Sequence, residues 1–115
     1  MRVRLLSTLA LLVALVGCGS SNSPSTNATT ISIAAGASLL TTTAYGVNPL
    51  TITAGTTVKW VNNDTMAHTA TSDTGVWDSG QISSGGNFSF TFKTAGTYAY
   101  HCINHPGMVG VIIVV

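Results

Sequence analysis

Two runs of strand-forming residues near the C-terminus, 97–102 and 109–115, are separated by a gap of six residues, and metal-binding side chains frame and fill that gap. Cys102 ends the first run, His105 lies inside the gap, and Met108 immediately precedes the second run. A thiolate, an imidazole and a thioether are thus spaced three residues apart on one loop clamped between two strands. Held that way they have little freedom to rearrange, and together they form a ligand set suited to a transition metal. Any fold adopted by this chain has to deliver that loop.

Parity decides which neighbours share the loop's inner face. Side chains alternate along a strand, so Tyr98, Tyr100 and Cys102 point one way and His101 points the other. His101 is therefore not counted as a ligand although it adjoins the cysteine. A further imidazole comes from upstream. Asn62, Asn63 and Asp64 form a turn signal, after which Met66 and His68 lie on one parity, so His68 can point inward from a strand start. His68, Cys102 and His105 with Met108 as a weak axial donor compose the His₂Cys set of blue-copper electron-transfer centres, holding one copper ion. Cu(II) and Cu(I) prefer different surroundings, so a site fixed between the two preferences moves little when an electron arrives. All four positions come from protein, which leaves no open coordination position for substrate chemistry, and the chain is not expected to be an enzyme.

The rest of the domain reads as an all-β Greek-key sandwich, a single domain over 31–115, built from short alternating runs between Gly, Asn and Asp turns. Ile31 with Ile33, Leu50 with Ile52, and Val58 with Trp60 each put apolar residues on one face, while Lys59 and Val61 take the opposite side of the last run. Phe88, Phe90 and Phe92 alternate with Ser89 and Thr91, a half-buried strand. Trp77 and Ile82 are expected to anchor a loop-rich middle to the core. Tyr98 has the position of a corner tyrosine, its hydroxyl bonding to upstream backbone. The chain of 115 residues is long enough for one core and too short for two. No Gly-rich phosphate loop appears.

Charge excludes another class. Beyond Arg2 and Arg4, the basic residues are Lys59 and Lys93, set against Asp64, Asp73 and Asp78. Nucleic-acid binding needs many cations on one face, so no nucleic-acid partner is expected. Docking to a protein partner has to rest on shape and apolar contact rather than on charge steering.

The N-terminus reads as an address and a tether. Residues 1–17 open with Arg2 and Arg4 and continue as an apolar run too short to span a bilayer comfortably, the pattern of a secretory signal peptide. Leu15, Val16, Gly17 and Cys18 resemble the lipobox of bacterial lipoproteins, which implies cleavage before Cys18 and a lipid on its thiol. An ordinary signal peptide with a chance cysteine is the competing reading. Residues 18–30 are then the lipidated cysteine and a flexible linker without charge, reaching about 20 Å as a coil. With Cys18 lipidated, Cys102 is the one remaining thiol in an oxidising compartment.

The spacing Cys-x-x-His-x-x-Met at 102–108 resembles the short ligand loop of the small cupredoxins of the amicyanin type. Upstream, Trp60, Val61 and Asn62 with Met66, Ala67 and His68 are similar to the stretch that carries the first ligand histidine there, and 55–60 resembles the strand entry of the plastocyanin-like group. The likeness covers nearly all of 50–115. It implies a cupredoxin fold, a type 1 copper ion held by His68, Cys102, His105 and Met108, and supporting roles around it for Asn62, Thr69 and Pro106. Thr69 stands where amicyanin and plastocyanin often have an Asn that braces the cysteine loop, and Ala67 where amicyanin has Pro. The expected function is one-electron transfer between redox protein partners docking near His105, by a monomer lipid-anchored to the bacterial cell envelope, periplasmic or outer surface. Copper storage, delivery or resistance would use the same ligands. A structural zinc site and a metal-free lipoprotein sandwich stay open as further readings.

Overall fold

A computed structural model describes residues 27–115. The expected signal peptide at 1–17, the lipid site Cys18 and the linker up to residue 26 lie outside the described residues. Seven strands form two sheets: β1 (Ala28–Ile33), β2 (Leu50–Ile52), β3 (Thr56–Asn62), β4 (Thr71–Ser72), β5 (Asn87–Phe92), β6 (Gly96–His101) and β7 (Val109–Val114). One sheet has the order β1-β3-β5 and the other β2-β7-β6-β4. This is the all-β sandwich expected from the sequence.

The alternation seen in the sequence becomes the inner and outer faces of these sheets. Val58 and Trp60 in β3 are fully buried while Lys59 is exposed. Ile31 and Ile33 of β1, together with Phe92 of β5, join that face, and Tyr100, Ile112 and Val114 oppose them from the second sheet. Trp60 meets Tyr100 edge-on at 5.6 Å between ring centroids, an aromatic contact that ties the two layers together. Trp77, buried as expected in the middle segment, stacks on Trp60 at 5.7 Å and on Phe90 at 5.6 Å. Truncating a buried aromatic of this kind to Ala typically costs about 3–5 kcal/mol. Of the three alternating phenylalanines only Phe92 is fully buried; Phe88 and Phe90 pack at the rim of the core.

Strands β6 and β7 pair antiparallel, with Tyr100 opposite Gly110. The ring of Tyr100 lies over that glycine so closely that a Cβ at 110 would sit 2.5 Å from Cζ. Gly110 is therefore the residue that lets Tyr100 lie flat beneath the metal-binding end. Tyr98 makes the expected corner bond, its hydroxyl donating to the carbonyl of Thr94 at 2.7 Å.

The domain starts earlier than the sequence pattern suggested. Ala28, Thr29 and Thr30, read as the end of a linker, are in β1 and pair parallel with Thr57, Val58 and Lys59 of β3. The pairing is made by main-chain groups, so a polar, threonine-rich stretch can form an edge strand without any apolar alternation to announce it. Two short 3₁₀ turns, Ala37–Leu39 and Thr41–Thr43, were not anticipated either. They bring Ala44 and Tyr45 into the core, where Tyr45 packs on Tyr100 at 4.7 Å.

Candidate metal centre

Cys102 and Met108 are delivered by the ends of β6 and β7, and the loop between them closes on itself. The Cys102 amide donates to the Met108 carbonyl at 3.0 Å, and the Met108 amide donates to the His105 carbonyl at 2.9 Å. The second bond closes the turn that contains Pro106 and Gly107, both exposed. His68 arrives from the far side, held by a two-way backbone bridge to Ile82: His68 N–H to Ile82 O at 3.2 Å and the reverse at 2.8 Å.

The structure brings His68, Cys102 and His105 together. Nδ1 of His68 lies 3.8 Å from Cys102 Sγ, and Nδ1 of His105 lies 3.9 Å from the same sulfur. The imidazole centroids of the two histidines are 5.1 Å apart. One donor atom from each of His68, Cys102 and His105 falls within 4.8 Å of the others, the spacing a single ion would bridge. Exposure divides the set. His68 and Cys102 are completely buried and Met108 is 1% exposed, whereas His105 is half-buried. Met66, the other methionine near His68 in sequence, is 48% exposed and so is poorly placed for an axial role. His101 faces away from the donors, as parity required, and pairs through Nδ1 with Asp73 Oδ1 at 2.5 Å.

The side chains expected to support the ligands do so in particular ways. Asn62, fully buried, donates through Nδ2 to the carbonyls of Met66 at 2.7 Å and Ile82 at 2.9 Å, and its Oδ1 accepts from the Asp64 amide at 2.9 Å. It thereby shapes the turn that leads into His68. The Thr69 hydroxyl accepts twice, from the Thr71 hydroxyl at 2.9 Å and from the Ile103 amide at 2.9 Å, the latter pinning the start of the ligand loop. The Thr69 amide donates to Cys102 Sγ at 3.3 Å, and the Thr69 carbonyl accepts the Tyr45 hydroxyl at 2.5 Å. Burial, then the nearby Cys102 and Tyr100, drive the Tyr45 hydroxyl far above the usual phenol range. It stays a neutral donor.

Sequence reasoning missed three contributors. Asn104 in the ligand loop exchanges two hydrogen bonds with Gln81, at 3.0 and 2.7 Å, and donates to the Ala67 carbonyl at 3.1 Å, tying the loop to the His68 segment. Asn48 fixes the start of β7, donating to the Val109 carbonyl at 3.3 Å and accepting the Val111 amide at 2.9 Å. Asp64, read as part of a turn, places Oδ2 at 2.7 Å from His68 Nε2. The hydrogen bond with His68, and then one from the Gly36 amide, hold its carboxyl down at about 2. The spacing of four residues between Asp64 and His68 was the one signal available.

A cluster of one thiol and two imidazoles suits copper in both oxidation states, since the soft thiolate favours Cu(I) and the imidazoles accept Cu(II). His68, Cys102 and His105, with Met108 nearby, form a type 1 copper site for one copper ion. Residues 27–115 match the family of copper-binding proteins of the plastocyanin/azurin type. Amicyanin from Paracoccus denitrificans is 36% identical over 77 residues, covering 61% of this chain. That alignment spans 57% of amicyanin's own length. Plastocyanin from Scenedesmus fuscus is 37% identical over 83 residues, covering 56% of this chain and 80% of the relative. Among solved structures, a purple cupredoxin from Nitrosopumilus maritimus superposes with a TM-score of 0.68 at 32% identity, covering 75% of this chain and 98% of that one. A Cu(I) amicyanin variant superposes with a TM-score of 0.65 at 30% identity, over 76% and 82% of the two chains. The chain belongs to the copper-binding plastocyanin/azurin family, the cupredoxins.

Proposed function

We propose that the protein is a one-electron carrier that passes electrons between redox protein partners in the cell envelope. The observation that carries this reading is the uneven exposure of the site: His68, Cys102 and Met108 are buried, while His105 alone of the four reaches the surface. When bound, copper supplies a reversible Cu(II)/Cu(I) couple. His68, Cys102 and His105 would hold the ion through their nitrogen and sulfur donors, with Met108 as a weaker fourth donor. The strands β6 and β7 keep that geometry from relaxing, and the packed core excludes water. His105 is half-buried and is flanked in the loop by exposed Ile103 and Pro106. That is the contact through which a partner docks, by apolar fit rather than by charge. The supporting positions are Asn62, Thr69 and Pro106.

On this reading the chain is no enzyme. It acts as a monomer exported under a signal peptide at 1–17 and tethered by lipid on Cys18. Copper storage or delivery requires ready release of the ion, and the doubly closed loop at 102–108 favours retention instead. The test is addition of Cu(II) to the purified soluble domain. An intense blue colour that bleaches on reduction, with a type 1 EPR signal, is expected, and Cys102→Ser is expected to abolish both. A protein that stays colourless would end the proposal, and rapid loss of copper to a chelator would favour delivery over electron transfer.

A further inference from the structure

Asp64 is the one acidic side chain buried at the metal-binding end. It is 5% exposed, and every oxygen it offers is used. Oδ2 meets His68 Nε2 at 2.7 Å, while Oδ1 accepts the amides of Thr65 at 2.8 Å and Gly36 at 3.1 Å. Among the described residues His68 is the one basic side chain within reach of it. The same imidazole presents its other nitrogen, Nδ1, to the site, 3.8 Å from Cys102 Sγ. An ionised carboxylate can only accept, so a neutral ring facing it carries its proton on Nε2 and turns the Nδ1 lone pair toward the metal position.

Two consequences follow from elementary electrostatics. The carboxylate raises the donor strength of the imidazole, as outer partners of metal-binding histidines do. It also changes the charge count of a buried site. Cys102 thiolate and Asp64 carboxylate together bring two negative charges, which a divalent ion neutralises and a monovalent ion does not. Burying an uncompensated charge is costly, so the pair stabilises the oxidised state over the reduced one. A backbone carbonyl at the same place would fix the tautomer but bring no net charge.

We propose that Asp64 is a positioning residue of the copper site that locks the His68 tautomer and, by its buried charge, lowers the reduction potential. This inference rests on the type 1 copper reading above. Asp64 also links the site to the 3₁₀ turn at Ala37–Leu39 through Gly36, the residue just before it. A purely structural role in holding that turn is therefore the competing explanation.

The deciding variant is Asp64→Asn, which keeps a carbonyl oxygen for the Gly36 and Thr65 amides and removes the charge. Cu(II) affinity is expected to fall about 10–100-fold, with Cu(I) affinity much less affected. The potential should then rise by about 59 mV for each tenfold change in their ratio. An unchanged potential beside a lowered melting temperature would overturn the proposal and leave Asp64 a structural residue. An independent measurement uses the copper-free wild-type protein, where ¹⁵N NMR of His68 should show a protected Nε2–H and an unprotonated Nδ1. The opposite tautomer would overturn the proposal even if the variant fails to fold. A wild-type domain that does not turn blue with Cu(II) would defeat the copper reading itself, and the copper-free tautomer would still report on Asp64 separately.

Discussion

The two imidazoles of the site differ in almost everything except their distance from the sulfur. His68 is completely buried, bridged by backbone to Ile82 and fixed through Nε2 by Asp64. His105 is half-buried on a loop that is tied at Ile103, Asn104 and Met108, and its ring meets the Cys102 sulfur through Nδ1. One half of the site is built to hold and the other to be reached. On the proposed electron-carrier reading the centre keeps its metal and yet exchanges electrons, and separating the two properties between two histidines satisfies each without weakening the other.

The contrast makes its largest prediction in the paired variants His105→Gly and His68→Gly. Each removes one imidazole and leaves a hole. Imidazole added from solution is expected to restore the blue colour of His105→Gly, because that hole opens to solvent, and to leave His68→Gly colourless, because that one is sealed. Rescue of both, followed by visible absorption, would mean the buried half is not closed.

A smaller effect is expected where the loop half leans on its strands. Gly110→Ala places a methyl group where Tyr100 now lies, and overpacking of this kind costs about 1–3 kcal/mol. Denaturant unfolding of the copper-free domain measures the loss. Stability equal to wild type would show that the β6–β7 pair can shift without penalty. The smallest effect concerns the axial position. Met108→Leu should keep copper and raise the potential modestly, since a weak donor to Cu(II) is lost. Met66→Leu should leave it unchanged, and voltammetry of the two variants separates the outcomes.

Much of this architecture was legible in the sequence because it is written in local periodicity. The alternation at Val58 and Trp60, and at Tyr98, Tyr100 and Cys102, assigned faces that the sandwich confirms, and the same parity kept His101 out of the donor set. What stayed hidden depends on contacts between distant segments or on main-chain groups. The threonines at 29 and 30 carry no apolar signal, and their strand exists because β3 offers an edge. Asp64 looked like a turn residue because its role is set by how the chain folds back between 62 and 68, a geometry that neither a helical nor a strand period encodes. Thr69 was expected to support the cysteine loop, and its short side chain does so by accepting from Ile103.

The hydrogen bond from the Thr69 amide to Cys102 Sγ has a consequence for how the protein can vary. Electron density on a metal-bound sulfur is drawn away by each N–H directed at it, and here that N–H belongs to the main chain. No substitution at position 69 other than proline can delete it. Variation at that position therefore acts on the loop, through the lost or altered acceptor for Ile103, while the electronic setting of the sulfur is inherited with the backbone. Drift in this chain can thus tune how firmly the loop is held while the thiolate keeps its environment.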